Sequence, residues 1–99
     1  MEIEKIHSEN KTVLNLKGRI DTVTSPKLQD ALAEILSLSD EVELNFGGVD
    51  YVSSAGLRVL LFGQKKSQAS GKTMKLKNVS SEVMEVFEIT GFSGMLTIE

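Results

Sequence analysis

Between Ser25 and Phe46 the apolar residues change period, and that change restricts the fold more than any other feature of the chain. Leu28, Ala31, Leu32, Ile35 and Leu36 recur at helical spacing and form one stripe, with Lys27, Gln29, Asp30 and Glu34 outside it. Val42, Leu44 and Phe46 then alternate with Glu41, Glu43 and Asn45, as in a strand with one face on a core and the other in water. A helix with one apolar stripe has to bury it, and a strand with one apolar face offers the surface, so the pair predicts helices lying on a sheet.

The rest of the chain extends that pattern. Glu2 to His7 reads as a strand, Ser8-Glu9-Asn10-Lys11 as a turn, and Thr12 to Leu16 as a second strand, giving an opening hairpin. Ser25-Pro26 supplies a start for the first helix, with the serine hydroxyl as cap and proline where no amide donor is needed. Gly47-Gly48 is read as the turn that ends the central strand. A second helix is predicted from near Ser54 through Leu57, Leu60 and Leu61 to about Ala69, with Gly71 just beyond it. Thr73 to Lys77 alternates again, with Met74 and Leu76 inward. Ser80 can cap a third helix carrying Val83, Val86 and Phe87, ended by Gly91, and Met95 to Ile98 offers a short last strand.

The predicted order is therefore β-β-α-β-α-β-α-β. The class is α/β, a mixed, mostly parallel sheet with helices mainly on one face. With 99 residues, no internal repeat and a single proline, nothing divides the chain, and residues 1–99 are read as one domain.

Composition narrows the chemistry. There is no cysteine and only one histidine, His7, so thiol nucleophiles, disulfides and most zinc sites are excluded; no metal or other cofactor is expected. No apolar run approaches the ~18 residues of a membrane span, and the acidic start Met1-Glu2-Ile3-Glu4-Lys5 lacks a signal-peptide core, so a cytoplasmic protein without membrane attachment is expected. The net charge of −3 conceals an asymmetry. Tyr51 through Ser81 holds six basic residues (Arg58, Lys65, Lys66, Lys72, Lys75 and Lys77) and no acidic one, leaving five basic against fourteen acidic elsewhere. Such a segment could face an anionic partner or simply solvate a helix end and a strand. With a pI near 5.2, direct nucleic-acid binding is not expected.

Catalysis finds little to work with. A serine hydrolase needs a base beside its nucleophile; His7 is far in sequence from any elbow, reads as a surface strand or turn residue, and no Gly-x-Ser-x-Gly occurs. A phosphate-binding loop and a dinucleotide fingerprint are also missing. An enzyme is not expected. The segment that stands out is Val49-Asp50-Tyr51-Val52-Ser53-Ser54-Ala55-Gly56-Leu57-Arg58, which runs from a strand end through a serine pair into a helix. On spacing alone, the serines can be a helix cap and Gly56 a point of close packing.

Asp50-Tyr51-Val52-Ser53-Ser54-Ala55-Gly56-Leu57 resembles the signature of STAS-domain anti-sigma factor antagonists. The resemblance continues upstream in Gly18-Arg19-Ile20-Asp21 with Ser25-Pro26, and downstream in Met84-Glu85-Val86-Phe87-Glu88-Ile89-Thr90-Gly91-Phe92, so it covers nearly the whole chain. It implies phosphorylation of the serine two places before the motif glycine, which is Ser54. Many members carry aspartate just before that serine where this chain has Ser53, which makes Ser53 the second candidate. It further implies a partner-switching cycle. The unmodified protein binds an anti-sigma factor with serine kinase activity and frees a sigma factor; phosphorylation abolishes the binding, and a metal-dependent serine phosphatase restores it. Asp21, Thr22, Ser53, Ser54, Gly56, Leu57 and Arg58 are the implied partner-binding residues, on a protein that is monomeric when free. For Asp21 the alternative is a plain turn or cap role, and for Arg58 plain solvation. A phospho-switched STAS binding module in a pathway without a sigma factor is the other reading of the same resemblance.

Overall fold

The structure, a computed structural model, describes residues 1–99. It opens with a hairpin: β1 (Glu2–Ser8) pairs antiparallel with β2 (Lys11–Ile20) around Glu9 and Asn10. α1 (Ser25–Leu38) carries the chain over to β3 (Glu41–Val52), which runs parallel to β2. α2 (Ser54–Ala69) then carries it to β4 (Thr73–Lys77), parallel to β3, and α3 (Ser81–Ile89) and a short 3-10 turn, Phe92–Gly94, follow. The sheet order is β1-β2-β3-β4, mixed with two of its three pairings parallel.

All twenty buried apolar residues form one cluster. Leu14, Leu16, Val42, Leu44, Met74 and Leu76 of the sheet meet Leu28, Leu32, Ile35 and Leu36 of α1, Leu57 and Leu60 of α2, and Val83 and Phe87 of α3. The predicted stripe of α1 is thus the buried one, and Phe87 seats α3 by an edge-on contact with Phe46, ring centroids 6.2 Å apart. At ~25 cal/mol per Å² of apolar surface removed from water, burial of this shared cluster is what chiefly holds the helices to the sheet.

The opposite sheet face is wet, as the alternation requires. Asn78 donates to Asn45, Asn45 to Asn15 and Asn15 to Glu4, each at 2.9 Å. Glu43 accepts from Lys11 and Lys77, both at 3.2 Å; burial raises its pKa, but those two hydrogen bonds outweigh it and the carboxyl ends below its ordinary value. Lys75 joins Glu99 at 3.1 Å. The basic segment is therefore not one face. Lys75 and Lys77 are neutralised on this side of the sheet, and Lys72 donates to the carbonyl of Leu36.

Three expectations change. Gly47-Gly48 does not end β3, which runs on to Val52 with two bulges, one opposite Asn15 to Lys17 and one opposite Gly18 to Arg19. Each bulge adds a residue, so the buried positions pass from a spacing of two to Phe46, Val49 and Val52. Gly48 is needed there because a Cβ would lie 2.8 Å from the carbonyl oxygen of Leu16. Ser25 is not the cap of α1. Thr24 holds that position without a side-chain cap bond, and Ser25 is buried within the helix, its hydroxyl donating to the carbonyl of Asp21. Finally, the predicted last strand contracts to a single bridge between Leu76 and Ile98. Beside that bridge Thr97 is held by Gln64 of α2, whose Nε2 donates to the Thr97 hydroxyl (3.1 Å) and whose Oε1 accepts from the Thr97 amide (3.3 Å), so this amide does not bond to β4.

Candidate functional site

Because β2 and β3 are parallel, their C-terminal ends lie together, and the loops into α1 and α2 leave from the same edge. The amide of Ser53 donates to the carbonyl of Ile20 at 2.8 Å and ties the two strand ends. Gly56 completes the junction. A Cβ on it would sit 2.8 Å from Ile20 Cγ2 and 2.9 Å from the Ile20 carbonyl oxygen, so only glycine lets the first turn of α2 rest on the end of β2.

The serine pair divides its work. Ser53 is the N-cap of α2, extended in backbone, and its hydroxyl accepts from the amide of Gly56 at 3.2 Å. Ser54 is the first residue of the helix; it is exposed, and its hydroxyl engages no other protein group. The cap role that spacing allowed for the pair therefore falls to Ser53, and the hydroxyl of Ser54 is left facing solvent at the positive end of the α2 dipole.

The loop into α1 is organised by Asp21. Its carboxylate accepts from the amides of Val23 and Thr24, both at 3.0 Å, while the hydroxyl of Thr24 accepts from the amide of Asp21 at 2.9 Å and lies 2.7 Å from the Arg19 carbonyl, to which it donates. The Thr24 amide is the main reason the Asp21 carboxyl titrates below its ordinary value; burial opposes this, and the Thr24 hydroxyl, the Val23 amide and the Arg19 charge add to it. Asp21 thus shapes the loop that presents Thr22 and Val23, and Val23 is 86% exposed.

The structure brings together the residues that the sequence singled out, but in two layers. Thr22, Ser54 and Arg58 are exposed, and Asp21 and Ser53 are half-buried beneath them. Gly56 and Leu57 face inward and fix the helix start. Between the starts of α1 and α2 lies an open groove of about 430 Å³, with Thr22, Pro26 and Asp30 on one side and Ala55, Arg58 and Val59 on the other.

Two neighbours were given no role from sequence. The guanidinium of Arg19 lies 4.0 Å over the ring of Tyr51, and both residues flank the same strand ends. Each was visible as a member of a motif, but their contact depends on the bulged register that sets Arg19 opposite Tyr51. His7 is exposed on β1, and its Nδ1 lies 2.8 Å from the hydroxyl of Thr12 and 3.4 Å from that of Ser39. Both hydroxyls are almost fully buried, at 1% and 0% exposure, so this trio braces the hairpin against the end of α1 and offers no accessible nucleophile. No three His, Cys, Asp or Glu side chains converge where a metal ion could be held, and no helix is long and apolar enough to cross a membrane.

A chain whose parallel strand ends present a half-capped serine pair over a glycine-seated helix can be placed by comparison. The profile of the family described as "Mlab, STAS domain" matches residues 4–97. The anti-sigma-B factor antagonist of Bacillus subtilis (strain 168) is 26% identical over 98 residues, covering 99% of this chain and 90% of that protein. The fold superimposes on the anti-sigma factor antagonist SpoIIAA in its unphosphorylated form with a TM-score of 0.83 at 17% identity, covering 99% and 88% of the two chains. It also superimposes on the phosphorylated form of SpoIIAA from Bacillus with a TM-score of 0.77 at 16% identity, covering 99% and 91%. The chain belongs to the STAS domain family, among the anti-sigma factor antagonists.

Proposed function

We propose that this protein is a phospho-switched anti-sigma factor antagonist of the cytoplasm. In its unmodified form it docks, as a monomer, on an anti-sigma factor with serine kinase activity and thereby releases a sigma factor. The kinase transfers the γ-phosphoryl group of ATP to Ser54: the Oγ–P bond forms as the phosphoanhydride breaks, ADP leaves, and the hydroxyl proton passes to a base of the kinase. The modified protein no longer docks, and a serine phosphatase hydrolyses the phosphate to restore it. In this cycle the chain is substrate and ligand, with no reaction of its own.

The observation that carries this function is the state of the two serines. Ser53 is committed to the cap, whereas Ser54 stands exposed beside it with its hydroxyl unused. A phosphate there adds about −1.5 to −2 charges and three acceptor oxygens. The free amides and dipole of the first turn favour an anion, so the fold has no reason to change. The same charge in the middle of a docking surface need cost only ~3 kcal/mol to weaken binding about a hundredfold. The Ser53 hydroxyl, by contrast, is already engaged as the acceptor of the Gly56 amide.

The test is to capture the partner from the parent cell, identify it by mass spectrometry, and incubate the purified pair with magnesium and ATP. The expected result is an anti-sigma factor kinase that binds the unmodified chain and Ser54→Ala, places phosphate on Ser54 alone, and binds Ser54→Asp at least tenfold more weakly. Phosphate on Ser53 or on neither serine, or equal affinity for the modified chain, would sink this function. A partner unrelated to sigma factors would move the same switch into another pathway.

A further inference from the structure

Arg58 lies four residues beyond Ser54 on α2. Residues four apart on a helix share one face, with Cβ atoms about 5–6 Å apart, and helical side chains lean toward the N-terminus, here toward the turn that holds Ser54. Arg58 is exposed and takes part in none of the ion pairs or side-chain hydrogen bonds of the molecule. Asp30, across the groove, does not pair with it. Arg19, the other arginine at this edge, is already occupied by the ring of Tyr51 and lies 3.8 Å from Asp21. The start of α2 therefore carries one uncommitted guanidinium within a single turn of one uncommitted hydroxyl.

Taking Ser54 as the modified residue, we propose that Arg58 is the built-in counter-ion of the Ser54 phosphate, which draws the guanidinium into a paired geometry across the first turn of α2. An anion placed N-terminal to a cation at this spacing is the favourable order, since it also suits the helix dipole. The guanidinium fork matches phosphate oxygens two at a time, which an ammonium does not. The modified state is then more than added charge. Phosphorylation also withdraws from the groove a cation that the unmodified protein offers to a partner, so two features of the docking surface change in one step.

The experiment bypasses the kinase by inserting phosphoserine at position 54 during translation and following the second ionisation of the phosphate by phosphorus NMR. Wild type is compared with Arg58→Gln and Arg58→Lys, each checked for native amide spectra. A phosphoserine without a partner titrates near pH ~6. The expected midpoint is lower in wild type than in Arg58→Gln by about half a unit or more, with Arg58→Lys between them and the gap narrowing at ~0.5 M salt. Asp30, Asp21, Arg19 and the helix dipole act alike in all three chains and cancel. Identical midpoints in wild type and Arg58→Gln would overturn the pairing. Because this measurement uses no kinase, a Ser54 that no kinase modifies would defeat the switch and leave the Arg58 pairing to be judged separately.

Discussion

Two helices begin side by side at the same edge of the sheet, and they treat their polar groups in opposite ways. At the start of α1 the side chains of Asp21, Thr24 and Ser25 are all consumed internally. Asp21 accepts two amides, Thr24 bonds to the Asp21 amide and the Arg19 carbonyl, and Ser25 is buried with its hydroxyl on the Asp21 carbonyl. At the start of α2 one serine does the capping and the next is left over. The lesson is that a polar side chain at a helix start is left available where a neighbour has already met the structural need. Ser25 and Ser54 look equivalent in sequence, each leading into an apolar stripe, yet only Ser54 has an oxygen that the fold does not use.

The strongest way to break this contrast is at Gly56, which seats the open helix start. Gly56→Ala gains up to ~1 kcal/mol of helix propensity, but its Cβ would press on the Ile20 carbonyl and side chain and on Val52. A net loss of about 2 kcal/mol is expected in urea unfolding, because overpacking outweighs the gain in propensity. A loss below ~0.5 kcal/mol would mean that the junction gives way easily and does not position Ser54.

The serines themselves sharpen the comparison at a smaller scale. Ser25→Ala and Ser53→Ala should each cost about 1 kcal/mol, the first by removing a buried donor and the second by removing a cap. Ser54→Ala should stay within ~0.5 kcal/mol of wild type, as exposed positions without partners do. Denaturant midpoints of the three variants side by side would decide this, and a Ser54→Ala as costly as the other two would erase the distinction between closed and open helix starts.

The smallest effect is confined to acid. Asp21→Asn keeps an acceptor oxygen for the loop amides but removes the charge. The folded Asp21 carboxyl titrates below its ordinary 3.8, so the stability it adds is complete above about pH 5 and is lost as the pH falls through the folded value. Thermal unfolding of wild type and Asp21→Asn should differ at neutral pH and converge in acid, as the folded carboxyl takes up its proton. A gap independent of pH would place the contribution of Asp21 in its shape and not in its charge.

Much of this was legible in the chain. The α1 stripe, the alternation in β3 and β4, the Ser80 cap with its 3.2 Å bond from the Val83 amide, and the left-handed Gly71 and Gly91 behave as local signals suggest. These features depend on spacing or on contacts within one turn, which any reading of neighbours can capture. The passage of β3 through Gly47-Gly48 was not legible, because a bulge exists only against the backbone of β2. The last strand failed for a similar reason: the Thr97 hydroxyl and amide bond to Gln64, a residue far away in sequence.

By itself, then, the sequence determined the number of helices, their buried sides, the polar sheet face and the segment from Val49 to Arg58 as the place of interest. Only the tertiary structure decided that Ser53 caps while Ser54 is spare, that Asp21 is spent on its own loop, and that Arg19 is held while Arg58 is free. The physical reason is that a side chain's availability is what remains after its neighbours in space have taken their hydrogen bonds and charges. For Ser53 and Asp21 those neighbours lie within three residues, but Arg19 meets Tyr51 only through the bulged register of β2 and β3, a separation that no local pattern records.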